Sequence, residues 1–219
     1  VIAFLSAMRV SGEDGYELWL RYRLEPDSNL RAAYAKVSAR VYIPEGSVVL
    51  GAAKSELCRA LPVISGAPIS LTLIAAPNLA SPAEIAALGR EGFLLGERDV
   101  AGRRVFVITG AGEIAVLRGV FDLLRRMQLG TPIAALAAHE PERIGVRMAN
   151  HHDNPVRAPE FRNESIERGY AGESFFKWDE LPGRIDPRLH DWARLLAAMG
   201  LNGASVNNVN TAKRGLEGW

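Results

Sequence analysis

Residues 150–176 read NHHDNPVRAPEFRNESIERGYAGESFF and concentrate chemically active side chains in a stretch without helical or strand periodicity. Two adjacent histidines, three arginines, several carboxylates and several aromatic rings fall within it. Irregular segments with this density of polar and aromatic residues are typical of binding loops held on a rigid scaffold. We therefore expect this loop to form part of a ligand site, and the flanking segments to show what holds it.

Metal and nucleophile chemistry have little support. His151 and His152 are adjacent in one loop and lack the spaced third and fourth partners that a zinc site needs. The single cysteine, Cys58, excludes an internal disulfide and a Cys-x-x-Cys cluster, and its apolar surroundings favour a small core residue over a nucleophile. The sequence predicts neither a metal nor another cofactor.

The charge balance and the short N-terminal apolar run bear on the possible partners and on the compartment of the protein. With 26 basic and 25 acidic residues, a net charge of +1 and no basic block, the chain has no nucleic-acid or membrane-surface footprint. The apolar N-terminal run VIAFLSAM is too short to span a bilayer. Residues 1–12 fit either the remnant of a secretory signal or an edge strand. The first interpretation places the protein in the periplasm or outside the cell, and the second leaves it in the cytoplasm.

Strand and helix signals alternate over residues 13–140. Alternating polarity predicts strands at 36–42, 69–76 and 103–110. Helices are predicted near 51–61, at 81–89 with a Ser cap and a Pro in the first turn, and at 113–129. The last helix shows an apolar stripe formed by Ile114, Leu117, Val120, Phe121, Leu124 and Met127. This mixture predicts a two-layer α/β sandwich with a mixed sheet.

A Gly-x-Gly pattern at Gly110 and Gly112 stands between a predicted strand and a predicted helix. Such a pattern can place a phosphate at a helix N-terminus. Here the third glycine of the dinucleotide fingerprint is missing and no Lys-Ser/Thr pair follows, so structural turn glycines are the better interpretation.

A second unit begins near Pro141. A strand is predicted at 143–149, then the polar loop, then a helix capped by Asp186, and then a strand at 203–210. The helix carries an apolar stripe of Leu189, Trp192, Leu196 and Met199. Strand, helix and strand in this order predict a βαβ unit with a right-handed crossover and parallel strands.

Polar residues follow both strands of this unit. Either polar group, taken by itself, could be a solvated loop. Parallel strands, however, bring both groups to one edge of the sheet, where β/α barrels place their substrate pockets. Two strands cannot close a barrel, so we expect the chain to be part of a longer protein. The residues at the two strand ends are Asn150, His151, His152, Asp153 and Asn154, and Asn207, Asn208, Val209 and Asn210.

The segments EDGYELWLRY, ITGAGEIAVLRGVFDLLRRMQLG, GVRMANHHDN, SIERGYAGESFF and DWARLLAAMGLNGASVNNVN resemble the microbial α-glucuronidases of glycoside hydrolase family 67. The resemblance covers residues 13–210. It implies a hexosaminidase-like N-terminal α/β sandwich at 13–140 and the first βαβ unit of a (β/α)8 TIM barrel at 141–219. The rest of the barrel and a C-terminal helical domain lie outside this chain.

The resemblance also implies an activity. Family members remove α-1,2-linked glucuronic acid, or its 4-O-methyl ether, from xylo-oligosaccharides with inversion. Inversion needs one carboxyl group as acid and a second as base. In the family both come from later barrel strands, so no catalytic residue is expected here. The expected partner is a xylo-oligosaccharide bearing glucuronic acid, and a homodimer through regions outside this chain is compatible with the resemblance.

Two pocket residues follow from the resemblance residue by residue. Val209 matches an apolar residue that lines the sugar pocket, and His152 stands where members commonly have a Trp that packs on the uronic acid. The loop is longer than the family's, and Phe161 is a candidate substitute for that Trp. Further candidate contacts, for which a loop-fixing hydrogen-bond network is the alternative, are Asp153, Asn154, Glu167, Arg168, Asn208 and Asn210. The competing function is a non-catalytic carbohydrate-binding or docking module.

Overall fold

A computed structural model of the protein describes residues 20–37, 39–68, 70–100, 102–142, 144–151, 168–169, 172–173, 175–176 and 183–206. Its helices are α1 (Ser28–Val37), α2 (Val48–Ser65), α3 (Pro82–Leu88), α4 (Glu113–Gln128) and α5 (Pro187–Ala198). Its strands are β1 (Ala39–Tyr42), β2 (Ser70–Ala75), β3 (Phe93–Val100), β4 (Arg103–Gly110), β5 (Ala138–Glu140), β6 (Met148–His151), β7 (Arg168–Gly169), β8 (Gly172–Glu173) and β9 (Gly203–Val206). Among these residues no helix is both long and apolar enough to cross a bilayer.

The first five strands form one mixed sheet in the order β1-β2-β4-β3-β5. Strands β1, β2 and β4 are parallel, whereas β3 runs antiparallel to both of its neighbours, β4 and β5. The mixed α/β architecture predicted for this region is confirmed. The hairpin of β3 and β4 pairs from Phe93 opposite Gly110 to Val100 opposite Arg103, and Gly102 in its turn has a φ of 74°.

Helices α2 and α4 pack on each other, and α4 packs on β3 and β4. Gly119 permits this packing, because a Cβ at that position would overlap Ile108 Cγ2. Gly110 is similarly confined, because its Cβ would meet Ala115 and the Gly92 carbonyl. The close contacts of Gly110 support a structural role for the first glycine of the Gly-x-Gly pattern, whereas a Cβ at Gly112 would meet no atom within 4 Å.

Local signals located several helix ends correctly. The Ser81 hydroxyl accepts from the Glu84 backbone N–H at 3.3 Å, and the Glu84 carboxylate accepts from the Ser81 N–H at 2.9 Å, which forms a capping box. In α5 the Asp186 carboxylate accepts from the Arg188 N–H at 3.0 Å. Both predicted caps are confirmed.

Other expectations for this region were wrong. Residues 36–37 end helix α1, so the first strand begins only at Ala39, and α2 extends beyond the predicted 51–61. Cys58 is exposed on α2 and is not a core residue. In the stripe of α4, Ile114 is 42% exposed, whereas the others are buried or half-buried. Helix α1 and strand β3 were not predicted.

The second unit is a parallel βαβ arrangement. Strand β6 pairs with β9 from Met148 opposite Gly203 to His151 opposite Val206, and α5 lies between them in the sequence. The predicted parallel pairing is therefore confirmed. Strand β6 begins at Met148 rather than at residue 143.

Candidate functional site

The predicted site lies at the carboxyl ends of β6 and β9. His151 is the last residue of β6 and stands opposite Val206, so the two strands end at the same edge of their sheet. Arg168 belongs to β7, and in the antiparallel pairing of β7 with β8 its backbone stands opposite that of Glu173. The other predicted site residues lie outside the described part of the chain: His152, Asp153, Asn154, Phe161, Glu167, Asn207, Asn208, Val209 and Asn210.

Four rings meet where β6 ends, and we call His151, Phe175, Phe176 and Trp192 the aromatic cluster. The His151 ring is stacked at 6.2 Å from Phe175 and lies edge-on to Phe176 at 5.4 Å and to Trp192 at 5.3 Å. The two phenylalanines are edge-on to each other at 5.2 Å. Offset and edge-to-face rings at such distances attract beyond their burial. The cluster joins the start of the polar loop, its end and helix α5.

A hydrogen bond orients the histidine in this cluster. Trp192 Nε1–H donates to His151 Nε2 at 3.1 Å. An indole N–H can only donate, so His151 Nε2 is the acceptor, and the imidazole tautomer that accepts at Nε2 carries its proton on Nδ1. The hydrogen bond therefore favours the Nδ1–H tautomer and fixes the direction of the ring.

Arg188 adds a positive charge beside the cluster. Its Nε and Nη2 groups donate to the Phe175 carbonyl at 3.2 and 3.0 Å, and its Cζ lies 5.6 Å from the centre of the Phe175 ring. The Arg188 backbone N–H, together with the nearby guanidinium groups, lowers the pKa of Asp186. The hydrogen bonds from Arg188 to the Phe175 carbonyl therefore attach the end of the polar loop to the first turn of α5.

Side chains alternate along β6. Met148 and Asn150 are exposed, whereas Ala149 and His151 are half-buried. His151 contacts Trp192 of α5, so the half-buried face of the strand is the one that α5 covers. The exposed face is the opposite one.

Polar contacts hold the opposite ends of the two strands, and we call Glu91, Glu142, Arg147 and Asn202 the amino-end junction. Arg147 precedes β6 and Asn202 precedes β9. The Arg147 backbone N–H donates to Asn202 Oδ1 at 2.9 Å, and the Asn202 backbone N–H donates to the Arg147 carbonyl at 2.8 Å. Arg147 also forms ion pairs with Glu91 and, at 3.9 Å, with Glu142, and Asn202 Nδ2 donates to Glu91 at 3.2 Å. Burial alone would raise the pKa of Glu91, but the hydrogen bonds from Asn202 and Arg147 lower it.

A second ionic contact holds α5, and we call Tyr22, Glu56 and Arg194 the Glu56 clamp. Arg194 Nε and Nη2 donate to the two Glu56 oxygens at 2.8 Å each, and the Tyr22 hydroxyl donates to Glu56 Oε1 at 2.5 Å. The Glu56 side chain is 4% exposed. Burial would raise its pKa, but the hydrogen bonds from Arg194 and Tyr22 keep it below its usual value.

Comparison with known sequences identifies the family. A sequence model described as the N-terminus of glycosyl hydrolase family 67 matches residues 18–123, and one described as the middle domain of the same family matches residues 126–218. The chain belongs to glycosyl hydrolase family 67. The two models together cover both the sheet region and the βαβ unit.

Curated proteins with similar sequences are named as alpha-glucuronidases. "Alpha-glucuronidase A" of Emericella nidulans is 30% identical over 233 residues, which covers 96% of this chain and 26% of that protein. "Alpha-glucuronidase" of Hypocrea jecorina is 29% identical over 92% of this chain and 25% of that protein. A "Probable alpha-glucuronidase A" of Aspergillus terreus is 38% identical over 47% of this chain and 11% of that protein. The family 67 chain therefore spans about a quarter of the length of the first two relatives.

The sequence indicated part of this site. Trp192 was predicted in the apolar stripe of α5, and Phe175 and Phe176 were seen in the polar loop, but their contact with His151 was not predicted. Glu56 and Arg194 were missed, although a glutamate on the otherwise apolar face of α2 is a signal for a buried ion pair. Among the described residues, no group of three or more His, Cys, Asp or Glu side chains could hold a metal ion.

Proposed function

We propose that this chain provides the N-terminal α/β sandwich and the first βαβ unit of the TIM barrel of an α-glucuronidase. The enzyme would hydrolyse α-1,2-linked glucuronic acid, or its 4-O-methyl ether, from xylo-oligosaccharides with inversion. Membership of family 67 and the names of the relatives support this class of activity. The observation that carries the proposal is the parallel pairing of β6 with β9, because it directs the segments after both strands to one edge, as at a barrel pocket.

Under this proposal His152 and Val209 line the sugar pocket. Among the described residues of β6, Ala149 and His151 are on the side of α5, so Met148 and Asn150 are on the opposite side, and the proposal assigns His152 to that second set. In a β/α barrel the helices cover the outside, so that side is the interior. Asp153, Asn154, Arg168, Asn208 and Asn210 are the polar candidates around the sugar.

The test is an assay of the complete gene product on aldouronic acids of defined length. We expect release of glucuronic acid, with the β anomer observed first by NMR because the reaction inverts the α linkage. Failure to release the uronic acid, or first appearance of the α anomer, would overturn the proposal. Residues 1–219 alone should not hydrolyse the substrate, because the acid and the base each contribute about a hundredfold or more.

Val209→Trp tests the placement of the pocket. A large ring at the strand end should obstruct the sugar and lower kcat/KM strongly. Val209→Ala removes two methyl groups and should weaken the free energy of sugar binding by about 1 to 2 kcal/mol. His152→Trp should improve binding of the uronic acid because a larger aromatic face is buried. An unchanged kcat/KM in Val209→Trp would remove this strand end from the pocket.

The alternative, a carbohydrate-binding module without catalysis, finds less support in the aromatic cluster. Binding modules present open aromatic faces to sugars, but Phe176 is 7% exposed and the other three rings are half-buried against one another. Calorimetric titration of the chain with glucuronoxylan oligosaccharides tests it. Binding by residues 1–219 without hydrolysis by the complete product would favour the module.

A further inference from the structure

We propose that His151 and Trp192 are positioning residues that fix both ends of the polar loop at the pocket edge. The inference rests on the proposed function, since the loop matters as a pocket wall. Neither residue is assigned a contact with the sugar. Their role is to hold the backbone from which the candidate pocket residues project.

The first step of the argument is connectivity. His151 is the last residue of β6, Phe175 and Phe176 stand at the other end of the polar loop in the sequence, and both phenylalanine rings contact the His151 ring. One imidazole therefore touches both ends of a segment of more than twenty residues. A rotation of that ring would act on the exit and on the return of the loop together.

The second step is the fixed orientation of the ring. Trp192 belongs to α5, and its indole donates to His151 Nε2 at 3.1 Å. Two edge-on contacts and one stacked contact leave the imidazole little freedom to turn, and the hydrogen bond selects the Nδ1–H tautomer. Residue 152 lies one peptide unit, about 3.8 Å between Cα atoms, beyond this anchor.

The third step is the support of Trp192 itself. Arg194, two residues further along α5, is held by both oxygens of the buried Glu56. The Asp186 cap and the Arg188 contacts to Phe175 fix the first turn of the same helix. The indole is therefore presented from a helix that is anchored on both sides of it, as positioning residues need to be.

The first experiment uses residues 1–219 and needs no substrate. Nitrogen NMR of labelled histidine should show the Nδ1–H tautomer for His151 near neutral pH. Trp192→Phe keeps an aromatic ring but removes the donor, and we expect it to lose this preference and to increase amide exchange in residues 152–174. An unchanged tautomer and unchanged exchange in Trp192→Phe would overturn the proposal.

The second experiment measures kinetics of the complete gene product. Trp192→Phe and His151→Phe should each raise KM about fivefold, the effect of one lost hydrogen bond of about 1 kcal/mol, with little change in kcat. His151→Gln places an amide oxygen near the position of Nε2 and should recover part of the loss. The double variant should be no worse than either single variant, because both remove the same interaction.

Additive losses in the double variant, or His151→Gln as poor as His151→Phe, would overturn the positioning role. If wild-type complete product has no activity on aldouronic acids, the proposed function fails. The tautomer and exchange measurements then still decide whether the pair fixes the loop.

Discussion

The sheet region, residues 20–142, and the βαβ unit, residues 144–206, are stabilised in different ways. Every buried apolar side chain among the described residues lies between residues 34 and 136, with the exception of Phe176. Helix α5 contains no buried residue, and Met199 at the end of its predicted stripe is 45% exposed. Ile144, Val146 and Met148 are between 51% and 72% exposed. The sheet region has a core of its own, whereas the described residues of the βαβ unit contribute only Phe176 as a buried apolar side chain.

Polar contacts attach the βαβ unit to the sheet region. The Glu56 clamp holds α5, and the amino-end junction holds the starts of β6 and β9. Both contacts bury a carboxylate that an arginine neutralises. Because attachment by buried ions fails when one partner is removed, the βαβ unit should depend on the sheet region far more than the reverse.

The largest effect is expected from breaking the Glu56 clamp. Arg194→Met leaves the Glu56 carboxylate buried without its counter-ion, and we expect a loss of about 3 to 5 kcal/mol in the free energy of unfolding of the βαβ unit. Hydrogen exchange of α5 and β9 amides measures it.

Two variants control this prediction. Arg104→Met breaks an exposed pair with Glu97, whose side chains are 79% and 50% exposed, and should change stability by less than about 1 kcal/mol. Replacing the whole clamp by Tyr22→Phe, Glu56→Leu and Arg194→Met should recover much of the loss, because no charge then stays buried alone. Equal losses in Arg194→Met and Arg104→Met would contradict the role of the clamp.

The second prediction compares two leucine truncations. Leu57 of α2 is fully buried, whereas Leu196 of α5 is half-buried. We expect Leu57→Ala to lower the free energy of unfolding by about 2 to 5 kcal/mol and Leu196→Ala to lower it by less, because the cost follows the contacts and the cavity left behind. Urea denaturation followed by circular dichroism measures both. A larger loss for Leu196→Ala would show that α5 has a core after all.

The sequence predicted elements that carry their own local start and stop signals, and it missed elements and contacts that depend on pairing with distant residues. Local signals decided the elements that were found: Ser81 with Pro82 for α3, Asp186 with Pro187 for α5, and Gly130 after α4. Strand β3 was missed because its sequence FLLGERDV begins as an apolar run and ends polar, with no alternation. It becomes a strand through pairing with β4 and β5.

The pairing of the two strands beside the candidate site was predictable from the sequence, but the contacts around their ends were not. The motifs NHHDN and NNVN pointed to two strand ends, and the pairing of β6 with β9 brings those ends together. The Trp192 hydrogen bond to His151 joins residues 41 positions apart, and the Glu56 ion pair with Arg194 joins residues 138 apart. Such pairings depend on how α5 packs, which helical periodicity does not specify.

The third prediction concerns acid. The pKa values of Glu56 and Glu91 are lowered in the folded protein, so their stabilisation is present above the unfolded value, about 4.3, and is lost as pH falls through the folded values. We therefore expect the βαβ unit to lose protection below about pH 4, before the sheet core does. The indole N–H signal of Trp192, assigned with Trp192→Phe, reports the first region, and core amides of β4 report the second. Simultaneous loss of both signals would contradict the comparison.

The smallest effect is expected at Cys58, within the more stable region. The thiol is exposed on α2, whereas its neighbour Leu57 is fully buried, so the two positions separate surface from core on a single helix. Cys58→Ser should change the free energy of unfolding by less than about 0.5 kcal/mol, as expected for a surface substitution away from a structural contact. The native thiol should react with a disulfide reagent nearly as fast as the thiol of the unfolded chain. Slow labelling under native conditions, or a loss for Cys58→Ser comparable to that of Leu57→Ala, would mean that α2 presents a second buried face, and the sheet region would then need a further covering layer on that side.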